Sequence, residues 1–184
     1  PIRAVFIYNH NPVCTHPDQN RMIRALSRED VFVVGADVVM TDSMRYADVV
    51  LPAASHFEIN DIYASYGHTY LQRAEPVIPP VGESLPNTEI FRRLADRFDF
   101  DDPAFRDSDA ALMDSAFDLA DPRLGGQRPS LLPLDRALPM HTKEGEELIM
   151  CDTVEPATPS GKIELYCGDL EARLAFATDL CNLY

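Results

Sequence analysis

The sequence predicts an α/β fold: an open parallel sheet with flanking helices. Three observations carry this. Ala4-Val5-Phe6-Ile7-Tyr8, Val31-Phe32-Val33-Val34 and Val49-Val50-Leu51 are short apolar runs, each bounded by polar or proline-containing loops, as buried strands are. Between the first two, Met22, Ile23 and Leu26 recur at helical spacing after Pro17-Asp18, so residues from about 17 to 28 read as a helix. Between the second and third, residues 41 to 46 have room for one helical turn. Strand, helix, strand, turn, strand in so compact a spacing implies parallel strands with crossover connections and a three-layer core over residues 4 to 52.

In such sheets ligands bind in the loops beyond the carboxyl ends of the strands. Here those loops are residues 9 to 12, 35 to 41 and 52 to 60. Downstream, Tyr63, Tyr66 and Tyr70 surround Gly67 in a loop with an extended segment. Pro76, Pro79, Pro80 and Pro86 make the next stretch a covering loop. Asn87 suits the N-cap of a helix that carries Ile90, Leu94 and Phe98 on one face. A second helix is expected from Asp107 or Ser108, with Leu112 and Ala116 inward. Residues 121 to 159 are rich in Pro and Gly with weak periodicity, which predicts a linker or wrap-around loop. Pro159-Ser160-Gly161 is a turn signal. Lys162 to Tyr166 alternates like a strand, and Leu170 to Leu180 has the pattern of a final helix. There are no internal repeats.

The formal net charge of −14 argues against a nucleic-acid partner, because phosphate backbones need a basic surface. It leaves room for an anionic ligand held by backbone amides. No apolar run is long enough to span a bilayer, so no membrane contact is expected from this segment. Cys14, Cys151, Cys167 and Cys181 form no CxxC, and no histidine lies at finger-like spacing from them. Scattered reduced thiols and a cytoplasmic setting are the expectation, although a disulfide among the last three remains compatible with the spacing. The chain has neither a GxGxxG nor a Walker loop. A strand beginning directly after Pro1-Ile2-Arg3 suggests a piece of a longer protein.

Three segments together carry a family resemblance. The first is Tyr8-Asn9-His10-Asn11-Pro12-Val13 followed by Pro17-Asp18-Gln19-Asn20. The second is Phe32-Val33-Val34-Gly35-Ala36-Asp37, then Thr41-Asp42-Ser43 and Ala47-Asp48-Val49-Val50-Leu51-Pro52-Ala53-Ala54. The third is Thr158-Pro159-Ser160-Gly161-Lys162-Ile163-Glu164. In this order they resemble the molybdopterin oxidoreductases of the dimethyl sulfoxide reductase family, over residues 4 to 100 and again over 156 to 166.

The resemblance implies a large catalytic subunit in which a bis-molybdopterin guanine dinucleotide cofactor holds molybdenum or tungsten. One α/β domain cradles a guanosine end, and a C-terminal β-barrel domain closes over the pterins. On that footing residues 1–120 are part of the α/β cofactor-binding domain, 121–158 a loop-rich linker and 159–184 the start of the barrel. An iron–sulfur cluster and the metal-ligating residue would lie elsewhere in the parent. The partners implied are the remaining domains of the same polypeptide and an electron-transfer subunit. The isolated chain is expected to bind no cofactor and to catalyse nothing, with no catalytic or metal-ligating residue of its own. Deprived of its neighbours, it is expected to expose Leu131, Leu132, Leu134 and Leu138. The parent's substrate would be thiosulfate- or polysulfide-, sulfoxide- or formate-like. Tyr63 to Gln72 resembles the thiosulfate and polysulfide members, while Glu58-Ile59-Asn60-Asp61 departs from the common Glu-Lys-Xaa-Gly pattern. The alternative from another class is a stand-alone α/β nucleotide-binding or non-catalytic interaction module.

The candidate cofactor contacts are Asn11, Asp37, Asn87, Asn9 and Thr41. Asp37 ends a strand, where a carboxylate accepts from ribose hydroxyls or, bidentately, from a guanine edge. It is equally placed to cap the turn that follows. The Asn11 amide offers both a donor and an acceptor, or simply makes a turn before Pro12. Asn87 aligns by resemblance with a guanosine contact and also suits a helix cap. Asn9 and His10 repeat the Asn11 argument. Asp48 caps the Thr41 turn or bonds backbone amides at the sheet end, and Thr41 and Ser43 do the same or donate to phosphate.

Overall fold

The computed structural model describes residues 2–64, 68–141, 145–149 and 151–166. Its first unit is the predicted parallel sheet. Strands β1 (Ala4–Tyr8), β2 (Phe32–Asp37) and β3 (Val49–Pro52) pair in the order β1-β2-β3, both pairs parallel, with Ile7 opposite Gly35 and Gly35 opposite Val50. Helix α1 (Pro12–Thr15) and helix α2 (Gln19–Leu26) make the first crossover. Asp18 caps α2, its carboxylate accepting from the Arg21 amide at 3.1 Å, and Pro17 lies just outside. Asp48 acts as an extension of the ladder. Its amide donates to the Val33 carbonyl at 2.8 Å, and its carboxylate accepts from the Val33 amide at 2.7 Å.

Alternate residues of β1 serve opposite faces. Ile7 joins Val33, Val13, Leu26, Val31 and Met44 in one core, packed under Met22 and Ile23 of α2. Phe6 and Tyr8 meet Phe91 of helix α3 (Asn87–Arg97), with ring centroids 5.5 and 5.0 Å apart. The result is the expected three layers, helix, sheet and helix. Beyond β3 the Leu85 amide donates to Pro52 O and the Ala54 amide donates to Leu85 O, a one-residue parallel bridge between Ala53 and Leu85. This bridge sets the start of α3 at the carboxyl end of the sheet.

The second unit was only partly legible. Strands β4 (Asp61–Ala64), β5 (Tyr70–Ala74) and β6 (Leu138–Pro139) form an antiparallel sheet in the order β4-β5-β6, where the sequence suggested a loop with one extended segment. Helix α4 (Asp109–Ser115) starts after Ser108, whose hydroxyl accepts from the Ala111 amide at 3.2 Å. Met113 and Asp114 are its buried residues, while the expected Leu112 is half-buried and Ala116 exposed.

Residues 121 to 141 are not a loose linker. Leu124 and Leu132, each 1% exposed, close a core on Leu71 of β5. Pro122 and Pro129 each open a 3-10 turn, and such turns send single leucines inward without helical periodicity. Of the four leucines expected to be uncovered, Leu131 and Leu134 are exposed, but Leu132 is buried and Leu138 packs half-buried on the same core. The segment is fastened by Asp114, which accepts from Arg128 Nε at 2.9 Å, from the Ser130 amide at 3.0 Å and from the Ser130 hydroxyl at 2.9 Å. Burial opposes its ionisation, yet these bonds and the Arg128 charge hold the Asp114 carboxyl below its ordinary value.

Three further expectations are corrected. Pro86, not Asn87, is the N-cap of α3, so Asn87 is its first helical residue. Phe98 lies past the end of α3 and is exposed. Lys162 to Tyr166 is bends and irregular chain instead of a strand, since it pairs with no described segment, and Leu165 is exposed. Tyr66, Gly67 and the proposed helix from Leu170 to Leu180 lie outside the described residues. Among the described residues no helix is long and apolar enough to cross a membrane.

Gly35 is a position where sequence and packing meet. A Cβ there would stand 2.2 Å from the Met44 sulfur, and Met44 is itself 1% exposed. Gly35→Ala is therefore expected to lower unfolding stability by about 1–3 kcal/mol, the cost of overpacking a filled core. Urea denaturation of the purified chain measures it. Adding Met44→Ala to the Gly35→Ala chain should cost less than Met44→Ala costs wild type.

Candidate functional site

Asn9, Asn11 and Thr41 follow the carboxyl ends of β1 and β2, Asp37 is the last residue of β2, and the Ala53–Leu85 bridge brings Asn87 to the same end. Asn9 follows β1 with φ 50°, a left-handed conformation that asparagine tolerates better than most residues. Its side-chain oxygen accepts from Asn87 Nδ2 at 2.8 Å, a bond across 78 residues. The Asn87 oxygen is buried and has no partner among the described residues. The two amides border a cavity of about 450 Å³ that is also lined by Tyr8, Phe91, Arg92 and Phe105.

Asn11 does different work. Its side-chain oxygen accepts from the Ser43 amide at 3.2 Å and from the Ser43 hydroxyl at 2.6 Å. The Ser43 oxygen in turn accepts from the Val13 amide at 3.0 Å. Ser43 is wholly buried, so this chain of bonds ties the loop after β1 to the loop after β2. The Asn11 oxygen is thereby committed, and the Asn11 side chain is also hydrogen-bonded to the Cys14 side chain. Asp37 ends β2 half-buried, with one carboxylate oxygen accepting from the Val38 amide at 2.8 Å and the other without a described partner. Its carbonyl accepts from the Ala53 amide at 3.1 Å. The Thr41 hydroxyl accepts from the Met44 amide at 3.4 Å, which is the capping role.

The five residues thus share one end of the sheet but not one cavity. Asn9 and Asn87 line the cavity, and Asp37, Asn11 and Thr41 do not. A second group went unrecognised in the sequence. Glu58, 7% exposed, accepts from the Ser55 amide at 2.7 Å and from the Ser84 hydroxyl at 3.3 Å, and also binds the Val81 amide. It clamps the loop after β3 to the proline-rich cover before α3. The clamp joins residues 23 and 26 positions apart, so no local pattern announces it. Asp61, three residues on, accepts from the Ile62 amide at 2.8 Å. Among the described residues no three His, Cys, Asp or Glu side chains surround a common metal position.

The profile of the molybdopterin oxidoreductase family matches residues 1–97. The chain is 44% identical over 169 residues to the probable oxidoreductase YoaE of Bacillus subtilis, covering 90% of this chain and 24% of that protein. It is 32% identical over 98 residues to the dimethyl sulfoxide/trimethylamine N-oxide reductase of Rhodobacter capsulatus, covering 52% of this chain and 12% of that one. Trimethylamine-N-oxide reductase 1 of Escherichia coli is 33% identical over 100 residues, 53% of this chain and 12% of its own length. In fold, the acetylene hydratase of Pelobacter acetylenicus superposes with a TM-score of 0.65 at 22% identity, covering 94% of this chain and 23% of that one. The chain belongs to the molybdopterin oxidoreductase family, in its dimethyl sulfoxide reductase branch. It spans about a quarter, or less, of the length of these relatives.

The Glu58 clamp makes a pH prediction. Hydrogen bonds from Ser55, then from the Val81 amide and Ser84, outweigh burial and hold its carboxyl at about 2, against 4.5 for an ordinary glutamate. A depressed folded-state value adds stability that is fully present above about pH 4.5 and is lost as pH falls toward about 2. Glu58→Gln should remove it. The variant is expected to be less stable than wild type at neutral pH, and the difference should shrink on acidification through that window, as thermal melts across pH would show.

Proposed function

We propose that this chain is the part of a molybdopterin oxidoreductase catalytic subunit that holds the guanosine end of one pterin dinucleotide. The observation that carries the reading is the unpartnered Asn87 oxygen, buried beside a cavity at the carboxyl end of a parallel sheet. A buried acceptor left empty costs on the order of 1–3 kcal/mol, so a ligand donor there is favoured. Nucleosides supply such donors as ribose hydroxyls and base N–H groups. The free oxygen of Asp37 offers a second, charged acceptor at the same end of the sheet.

In this reading each residue has a bounded task. Asn87 accepts from the ligand while its NH₂ stays on Asn9. Asp37 accepts from a ribose hydroxyl or a guanine edge. Asn11 keeps the first two loops in register through Ser43. Thr41 holds the turn beneath them. When bound, the bis-molybdopterin guanine dinucleotide with molybdenum or tungsten supplies two-electron redox chemistry that amino acids lack. The remaining domains of the same polypeptide supply the metal ligand, any iron–sulfur cluster and the barrel that closes over the pterins. An electron-transfer subunit completes the circuit. Among the substrate classes, sulfoxides and N-oxides take first place, since reductases of those compounds are among the relatives.

The test is Asp37→Ala in the full-length parent. Loss of a charge-assisted bond should cost about 1.5–3 kcal/mol, roughly a ten- to hundredfold weaker hold on the cofactor. Molybdenum and GMP released from the purified variant should fall while its melting temperature holds. Normal content of both at normal stability removes Asp37 from the site. Asn87→Leu, which buries no empty acceptor, should likewise lower GMP content, and normal content there would overturn the guanosine reading of the cavity.

A further inference from the structure

His10 and His16 stand at the two ends of α1. The Cys14 and Thr15 amides close on the Asn11 carbonyl and the His16 amide closes on Pro12 O, folding the chain back on itself. The two imidazoles meet with their Nε2 atoms 2.8 Å apart and ring centroids 4.8 Å apart. Both rings are exposed. The turn between them is held from beneath, because Pro12 and Val13 are buried and Asn11 is bonded to Ser43.

Two imidazole nitrogens bound to one metal at about 2.0–2.1 Å stand about 2.8–3.0 Å apart when the angle at the metal is near 90°. Tetrahedral ligation would separate them by about 3.3–3.4 Å. The observed separation matches adjacent corners of a tetragonal site. We propose that His10 and His16 form a surface site for a divalent transition metal of tetragonal preference, nickel(II) or copper(II), with water in the remaining positions. The Thr15 hydroxyl, 3.5 Å from His10 Nε2, stays outside the coordination shell. A chain of net charge −14 draws cations to its surface.

Without metal, one Nε2–H donates to the other Nε2 across the same distance. Binding then requires only that the donor ring move its proton to Nδ1, so a neutral pair loses no net proton. This site is independent of the cofactor reading and has its own test.

Nickel(II) alone is titrated calorimetrically into the purified chain, into His10→Ala, His16→Ala and the double variant, and into Cys14→Ser. Nickel(II) avoids oxidation of the thiols. Near pH 7.5 the wild type is expected to bind one equivalent. Either histidine variant should bind at least tenfold more weakly, and Cys14→Ser as wild type. Both rings are exposed, so circular dichroism should find all variants folded. His56, His68 and His141 remain in the double variant as the background. Wild-type binding no stronger than the double variant's, unchanged affinity in either single variant, or loss of binding in Cys14→Ser would each overturn the proposal.

Discussion

Parallel pairing is the constraint on which the rest of the molecule depends. Parallel neighbours cannot be joined by a tight turn, so each connection must cross a face of the sheet, and every strand must end at the same edge. From β1 to β2 the crossover is α1 and α2, and their apolar residues cover one face. The opposite face is covered by α3, whose Phe91 meets Phe6 and Tyr8. Polar residues that are far apart in sequence, Asn9, Asn11, Asp37 and Asn87, reach one edge because the topology leaves the strand-end loops nowhere else to go.

That edge is kept in order by side chains that substitute for missing backbone pairing. Loops cannot continue the ladder, and each buried polar group in them still needs a partner. Ser43 is buried between Asn11 and Val13 and satisfies both. Glu58 does the same for the Ser55 and Val81 amides. Asp48 does it for Val33 before β3 has begun. Once those partners are accounted for, the second oxygen of Asp37 and the oxygen of Asn87 stand out at this edge as groups without a partner among the described residues.

Legibility in the sequence follows the range of the interaction. β1, β2, β3 and α2 were readable because runs of Val, Ile and Phe and the spacing of Met22, Ile23 and Leu26 are local signals. Asp48 was readable for its place at a strand start. The antiparallel sheet was not, since β4 and β6 are short and β6 pairs with a strand nearly seventy residues earlier. Leu124 and Leu132 were read as linker residues because each enters the core from a separate proline-started turn. At the site, sequence placed Asn9, Asn11, Asp37 and Asn87 at the correct edge. It did not separate the Asn11 oxygen, spent on Ser43, from the Asn87 oxygen, spent on nothing. That distinction depends on partners 32 and 78 residues away.

The charges around the cavity narrow what part of a dinucleotide suits it. Arg92 is its one cation, and it is already engaged with Asp109 at 2.8 Å and with the Asp107 carbonyl at 3.0 Å. The other lining groups are neutral amides, a threonine and apolar or aromatic side chains. Phosphates bind where free cations or clustered amides face them, and this wall has no free cation. A nucleoside carries no charge and brings hydroxyl and ring N–H donors, which an empty amide oxygen can accept. On the reading proposed here, the cavity therefore takes the nucleoside, and the acidic chain can serve a phosphate-rich cofactor because the phosphates are left to amides and cations beyond this wall.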